Sequence, residues 1–154
     1  MNEFYKKSRD ELKRADHLIF VSLKYTRTVD VLKSIIERLI NCVDFCFNAL
    51  LTDLVEKGEL REIPSAPVPK CKLVKELFAD DEKVVQMVEL FLLWRRISKA
   101  EYSKEFEFRR HVALTAFLKD EENVKVNIDV ITEYFQKTKL FFGYLSNKFL
   151  PQED

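Results

Sequence analysis

The chain has 154 residues, of which 47% are hydrophobic and 34% charged, and this balance is typical of one domain built from amphipathic helices. Its two glycines and four prolines supply too few turn residues for a protein made of many β-hairpins. Its 26 basic and 26 acidic residues cancel, so no overall charge draws the protein to nucleic acid or to an anionic membrane.

The first half of the sequence predicts two long helices. Residues 2–25 carry a ragged apolar face between charged positions. Thr28 is expected to cap a second helix, which continues to about Gly58, a residue suited to ending a helix. Apolar residues recur along the second helix at steps of three and four, namely Val29, Leu32, Ile36, Leu39, Val43, Cys46, Leu50 and Leu54.

A proline-rich connection follows the second helix. Residues 61–70 contain Pro64, Pro67 and Pro69, so we predict an internal loop that is not helical from Pro64 to Pro69. A short amphipathic helix is expected next, at residues 73–78.

The last third predicts two more substantial helices. Asp80 or Asp81 is expected to cap a helix that ends near Lys99, and Asn127 a final helix with many aromatic residues. Residues 101–120 begin with a mixed pattern and finish with helical spacing at Val112, Thr115, Ala116 and Leu118.

Together these elements predict an all-α fold. Residues 1–154 are expected to form one domain, an up-and-down antiparallel four-helix bundle with one or two short accessory helices. The second and last helices offer more apolar surface than one small bundle easily hides, which predicts a homodimer.

The compartment is indicated by the cysteines and by the first residues. Three cysteines, an odd number, argue against a disulfide framework and fit the cytoplasm. The opening sequence MNEFYKKSRDELKRAD interleaves charges and lacks the apolar core of a signal peptide. No stretch is apolar for long enough to span a membrane, so we expect a cytoplasmic protein without membrane insertion.

The most cationic stretch runs from Trp94 to His111. Aromatic residues are interleaved with its arginines and lysines, and RNA or a nucleotide would use both, because bases stack on rings while guanidinium groups bind phosphates. The candidate ligand-binding residues are Arg95, Arg96, Tyr102 and Arg109. The alternative is that the rings enter the core and the charges form a solvated helix face.

His111 and Arg110 are the candidate catalytic residues. A histidine beside fixed positive charges can act as acid or base on a phosphodiester, while an arginine stabilises the developing negative charge. The alternative is a histidine that hydrogen-bonds a backbone carbonyl.

The sequence offers two sets of possible metal ligands, but neither is predicted to form a metal site. Glu37 and Asp44 share the polar face of the second helix and could hold Mg²⁺, as in an all-α nucleotide hydrolase, but a solvated face explains them better. Cys42, Cys46 and Cys71 could bind zinc, but their spacing suits core packing. No metal or cofactor is therefore expected.

The chain resembles archaeal members of the HEPN superfamily, the higher eukaryote and prokaryote nucleotide-binding domains. The resemblance covers roughly residues 8 to 149 and is carried by helix order and by the segments FCFNALL, LFLLWRRISKAEYSKEFEFRRHV and ITEYFQKTKLFFGYL. It implies a helical bundle that is usually dimeric, is often encoded beside a minimal nucleotidyltransferase and in many members cuts RNA.

The RNA-cutting members of that family carry an arginine a few residues before a histidine. His111 stands about where that histidine would, but Lys104, Glu105 and Phe106 occupy the positions of the arginine. The resemblance therefore implies a module that binds a nucleotide, RNA or a partner protein without the standard ribonuclease motif. A metal-independent ribonuclease that uses His111 and Arg110 is the alternative, and an Mg²⁺-dependent hydrolase is a second one.

Overall fold

The computed structural model describes residues 3–119 and 122–149, and these form a mostly helical molecule with a small sheet. The described helices are α1 (Glu3–His17), α2 (Leu23–Tyr25), α3 (Val29–Glu56), α4 (Pro67–Leu77), α5 (Glu82–Lys99) and α6 (Ile128–Lys148). A π-helical segment, Leu18–Ser22, joins α1 to α2. The strands β1 (Glu101–Glu105), β2 (Ala113–Phe117) and β3 (Val124–Asn127) lie in sequence between α5 and α6. None of the helices in these ranges is long and apolar enough to cross a membrane.

The core is built around α3. Twelve of its 28 residues are buried, because α1, α5 and α6 all pack against it. At its centre the ring of Phe47 meets the edges of two other rings, Phe91 of α5 at 5.5 Å and Phe141 of α6 at 6.3 Å between centroids. The apolar stripe predicted for this helix is thus covered within one chain and does not by itself require a second copy.

Helix α1 lies antiparallel to α3. Ser8 Oγ lies 3.3 Å from the Sγ atom of Cys42 and 3.0 Å from that of Cys46, whereas Glu11, one turn later, meets Arg38 at 3.2 Å. The Glu11 carboxylate is buried and also accepts a hydrogen bond from Arg14 at 2.8 Å. These two arginines supply the partners that a buried carboxylate requires.

The predicted helix boundaries are confirmed at three N-caps and one C-terminus. The side chains of Thr28, Asp81 and Asn127 each accept hydrogen bonds from backbone N–H groups in the first turn of α3, α5 and α6. Gly58, just beyond the end of α3, has a φ of 76°, a left-handed conformation that glycine adopts without strain.

The prediction of an all-α fold is wrong between α5 and α6. Here the chain forms a three-stranded antiparallel sheet in the order β1-β2-β3, with Tyr102 opposite Ala116 and Ala116 opposite Val124. The middle strand β2 buries neighbouring residues on both of its faces, including Ala113 and Leu114. A short strand that is buried on both faces lacks the alternation of apolar and polar residues by which a half-buried strand is recognised. Its apolar residues therefore matched the spacing expected of a helix.

Two connections also differ from the sequence-based expectation. Helix α4 begins at Pro67, so the expected loop over residues 61–70 ends earlier. Pro67 and Pro69 are accommodated because backbone N–H groups in the first helical turn have no partner within the helix. The first helix, predicted over residues 2–25, is interrupted by the π-helical segment, and residue 2 lies outside the described residues.

If the contact of Phe47 with both neighbouring helices holds the core together, Phe47→Ala should lower the free energy of unfolding by about 3–5 kcal/mol. Phe117→Ala is the matched control, since that ring is 44% exposed on β2, and it should cost less than about 1 kcal/mol. Urea denaturation followed by circular dichroism measures both. Equal losses in the two variants would contradict the central position of Phe47.

Candidate functional site

The turn between β1 and β2 has a compact, hydrogen-bonded shape. We call residues 106–112 the hairpin loop. Within it the backbone N–H of Arg109 donates to the carbonyl of Phe106 at 3.2 Å, and that of Val112 donates to the carbonyl of Arg109 at 3.0 Å. The buried Val112 side chain fixes the end of the loop to the core.

The hairpin loop is anchored on the N-terminus of α3. The backbone N–H of Phe108 donates to the carbonyl of Arg27 at 2.6 Å, and the backbone N–H of Val29 donates to Glu107 Oε2 at 3.1 Å. The Glu107 carboxylate thereby satisfies a free N–H group at the positive end of the helix dipole. The Glu107 carboxylate also lies 3.7 Å from the ammonium group of Lys104 on β1, so its negative charge already has a positive partner.

Two phenylalanines of the hairpin loop have strained backbones and exposed rings. Phe106 has a φ of 53° and Phe108 a φ of 67°, the left-handed region that costs a bulky L-residue about 1–2 kcal/mol. Their rings are 54% and 76% exposed, so little burial offsets this strain. Strained residues of this kind cluster at functional sites, which makes the loop a candidate.

The basic residues of the loop are exposed. Arg109, Arg110 and His111 all face solvent. Among the residues that the structure describes, none pairs with the side chain of Arg109 or Arg110. The structure therefore concentrates positive charge beside the two exposed rings, although the net charge of the chain is zero.

Arg110 and His111 line a small pocket at the start of α6. It encloses about 100 Å³, and Lys125 of β3 and Asp129 in the first turn of α6 also contribute to its wall. The two candidate catalytic residues are thus brought together at one opening, with a third basic residue beside them. Among the described residues of this lining, Asp129 is the one that is acidic.

The other candidate ligand-binding residues lie elsewhere. Arg95 is half-buried and Arg96 exposed near the end of α5, whereas the hairpin loop lies beyond β1, which extends about 17 Å. Tyr102 is partly buried on β1, and the Lys33 ammonium lies 4.4 Å from its ring centre. The four candidate ligand-binding residues therefore do not form one cluster. Of these four, Arg109 alone lies in the hairpin loop with Arg110 and His111.

The residues considered for Mg²⁺ do not converge. Glu37 is exposed, and the carboxylate of Asp44 accepts a hydrogen bond at 2.9 Å from Lys70, whose side chain is buried. Within residues 3–119 and 122–149, no three histidine, cysteine, aspartate or glutamate side chains are placed to hold a metal ion.

The three cysteines are buried and free. Burial, together with the neighbouring Cys42, raises the pKa of the Cys46 thiol well above its usual value. Burial and the nearby Asp44 carboxylate raise the pKa of Cys71 to about 11. Both groups are protonated thiols at neutral pH, and a protonated thiol is a poor nucleophile and a poor metal ligand.

Sequence reasoning missed Glu107 as an anchor and Lys125 as a pocket residue. Lys125 stands between Val124 and Val126, an alternation typical of a strand with one buried face, and this pattern places the lysine on the outer face. The role of Glu107 has no local signal, because its partner Val29 is 78 residues away in sequence.

Comparison with protein-family models, with curated proteins and with solved structures finds no match for this chain. The geometry of the hairpin loop is therefore the basis for assigning a function to the protein.

If Phe106 and Phe108 are strained without structural benefit, replacing either by glycine should leave the free energy of unfolding unchanged or raise it by up to about 1 kcal/mol. Glycine adopts positive φ freely, and this relief offsets the entropy that glycine adds to the unfolded chain. Phe117→Gly, at an ordinary strand position, should instead destabilise the protein by about 1 kcal/mol or more. Chemical denaturation compares the three variants, and a loss above about 1 kcal/mol for both loop variants would show that the rings are structural.

Proposed function

We propose that the protein is a helical binding module whose hairpin loop binds single-stranded RNA. The observation that supports this proposal is that two exposed phenylalanines, Phe106 and Phe108, are held at positive φ beside two arginines, Arg109 and Arg110. The side chains of these arginines have no partner among the residues that the structure describes.

Exposed rings and arginines together provide what an unpaired strand requires. Stacking of a base on an aromatic ring contributes about 1–3 kcal/mol, and a charge-assisted contact to a phosphate about 1.5–3 kcal/mol. The pocket lined by Arg110, His111 and Lys125 would take a backbone phosphate next to the stacked bases. Tyr25, which is 81% exposed, lies two residues before the Arg27 carbonyl that anchors the loop and offers a further ring.

A single strand suits the loop better than a duplex. In a duplex the bases are stacked on each other and only their edges are accessible, so projecting rings gain nothing from them. The same combination of rings and charges binds bases of any identity, and we therefore expect little sequence preference.

The type of helical bundle is also part of the proposal. We infer that α1, α3, α5 and α6 form an up-and-down bundle of the HEPN type, supported by the antiparallel packing of α1 on α3 and by the rings of α5 and α6 against Phe47. The sheet between α5 and α6 departs from the all-α pattern of that resemblance. A homodimer, a nucleotidyltransferase partner and a cytoplasmic location remain predictions.

Ribonuclease activity is the second candidate, because His111 and Arg110 line one pocket. In catalysis the neutral His111 imidazole would accept the proton of the ribose 2′-hydroxyl while the 2′-oxygen bonds to the phosphorus, and Arg110 would stabilise the negative charge of the phosphorane-like transition state. The bond from phosphorus to the 5′-oxygen would break, the 5′-oxygen would take a proton from water, and the product would be a 2′,3′-cyclic phosphate. RNA cleavage by the wild-type protein that disappears in His111→Ala would favour this candidate over binding alone.

If the hairpin loop is the binding surface, replacing Arg109 and Arg110 together by glutamine should weaken binding of a labelled oligouridylate of about 12 nucleotides by well over tenfold. Removal of two phosphate contacts should also reduce the slope of log K against log salt by about 1.4. Fluorescence anisotropy at several salt concentrations measures both quantities. Phe108→Gly should weaken binding about 5- to 100-fold through lost stacking, with less change in the salt slope.

The matched control removes two positive charges from helices instead of from the hairpin loop. Lys6→Gln combined with Lys72→Gln has the same change in net charge, and both lysines are exposed on α1 and α4. This control should bind within about twofold of the wild type. Equal weakening by the control and the loop variant, or no binding by the wild type at low salt, would refute RNA binding at the loop.

A further inference from the structure

An open groove lies between helices α5 and α6. They run in opposite directions, because the Lys83 ammonium lies 4.6 Å from the ring centre of Tyr144 near one end, and the rings of Trp94 and Tyr134 are 5.4 Å apart near the other. The groove encloses about 680 Å³. It lies along the second half of α6, about 18 Å from the pocket at the start of that helix.

The floor and one wall of the groove are apolar. Met87 and Leu90 of α5 face Phe141 of α6, and the side chain of Leu140 is 74% exposed on the wall. The residues from each helix are spaced three and four apart, so each helix offers one continuous face. This is the surface on which the apolar side of a third helix would pack.

The rim of the groove is basic. Lys83 and Lys137 line it, and an adjoining opening that shares Leu140 and Tyr144 adds Lys139 and Lys148. The acidic residue in the lining, Glu89, already has an ion pair with Lys75 at 2.6 Å. Two of these lysines are already paired, Lys137 with Glu133 at 3.2 Å and Lys148 with Asp81 at 3.7 Å. Lys83 and Lys139 have no ion pair with the residues that the structure describes. The described lining therefore offers an occupant two ammonium groups without an ion pair and no unpaired carboxylate.

We propose that this groove is the docking site for an acidic amphipathic helix of a partner protein. Its apolar residues, at steps of three and four, fill the space beside Leu140 and Phe141, and its carboxylates meet the lysines of the rim. From Lys137 to Lys148 the groove extends about 16 Å, which matches about three turns of helix. This proposal is independent of RNA binding, because the hairpin loop takes no part in it.

A second copy of the chain fits the groove less well than an acidic helix. A two-fold dimer would place this surface against itself, so that the lysines of one rim would face those of the other. Like charges brought together in this way oppose association.

The test uses two stapled helical peptides of about 14 residues, because unstapled helices of this length are marginal in water. Both carry leucines at steps of three and four, and the other positions are mainly glutamate in one peptide and lysine in the other. The acidic peptide should bind with a Kd of about 1–100 μM, and the basic peptide about tenfold or more weakly. Amide chemical-shift changes should map to residues 83–90 and 137–148.

Three variants test where the acidic peptide binds and whether binding depends on the positive charge of the rim. Leu140→Asp should weaken the acidic peptide at least about tenfold, whereas Val68→Asp, at an exposed apolar position on α4, should not. Lys137→Glu combined with Lys139→Glu should reverse the preference toward the basic peptide. Binding of oligouridylate should be unchanged by Leu140→Asp. A failure of peptide binding in the groove can therefore be distinguished from a failure of RNA binding at the hairpin loop.

The proposal is overturned if the two peptides bind equally, if neither binds, or if the shift changes lie outside the groove. It is also overturned if sedimentation shows a wild-type dimer that Leu140→Asp converts to a monomer, because a second copy would then cover the groove.

Discussion

The burial of α3 is the constraint on which the rest of the structure depends. Its apolar residues extend so far round the helix that α1, α5 and α6 must all pack on it to exclude water. The N-terminus of α3 then has a fixed place in the molecule, and the hairpin loop is attached to that point through Val29 and the neighbouring Arg27. Core packing thus positions the candidate site without contributing a side chain to it.

The hairpin loop shows how a protein with no net charge can present a local concentration of positive charge. Glu107 uses its charge on the backbone of α3 and on Lys104, so it does little to neutralise the arginines that follow. The two anchoring hydrogen bonds also hold the backbone where Phe106 and Phe108 have positive φ. A surface fixed before the ligand arrives loses less entropy on binding than a flexible one, and this is the advantage that such strain would provide.

The sequence predicted the helices well and the site only in part. The N-caps at Thr28, Asp81 and Asn127 were predictable because capping is local chemistry, readable from a few consecutive residues. The sheet was not, since β2 is short and buried on both faces. The separation of Arg95 from the loop was also beyond prediction, because it follows from where β1 and the loop are placed by contacts distant in sequence. The sequence left open whether the rings between Trp94 and His111 lie in the core or at the surface, and the structure buries Trp94 but exposes Phe108.

The most direct test of the central claim is photocrosslinking of the wild-type protein to an oligouridylate that carries 4-thiouridine, with the linked peptides identified by mass spectrometry. A base stacked on Phe106 or Phe108 is within bonding distance of the ring, so the account predicts crosslinks concentrated in residues 105–111. Crosslinks that fall instead near Arg95 and Arg96 on α5, with none in the hairpin loop, would contradict it.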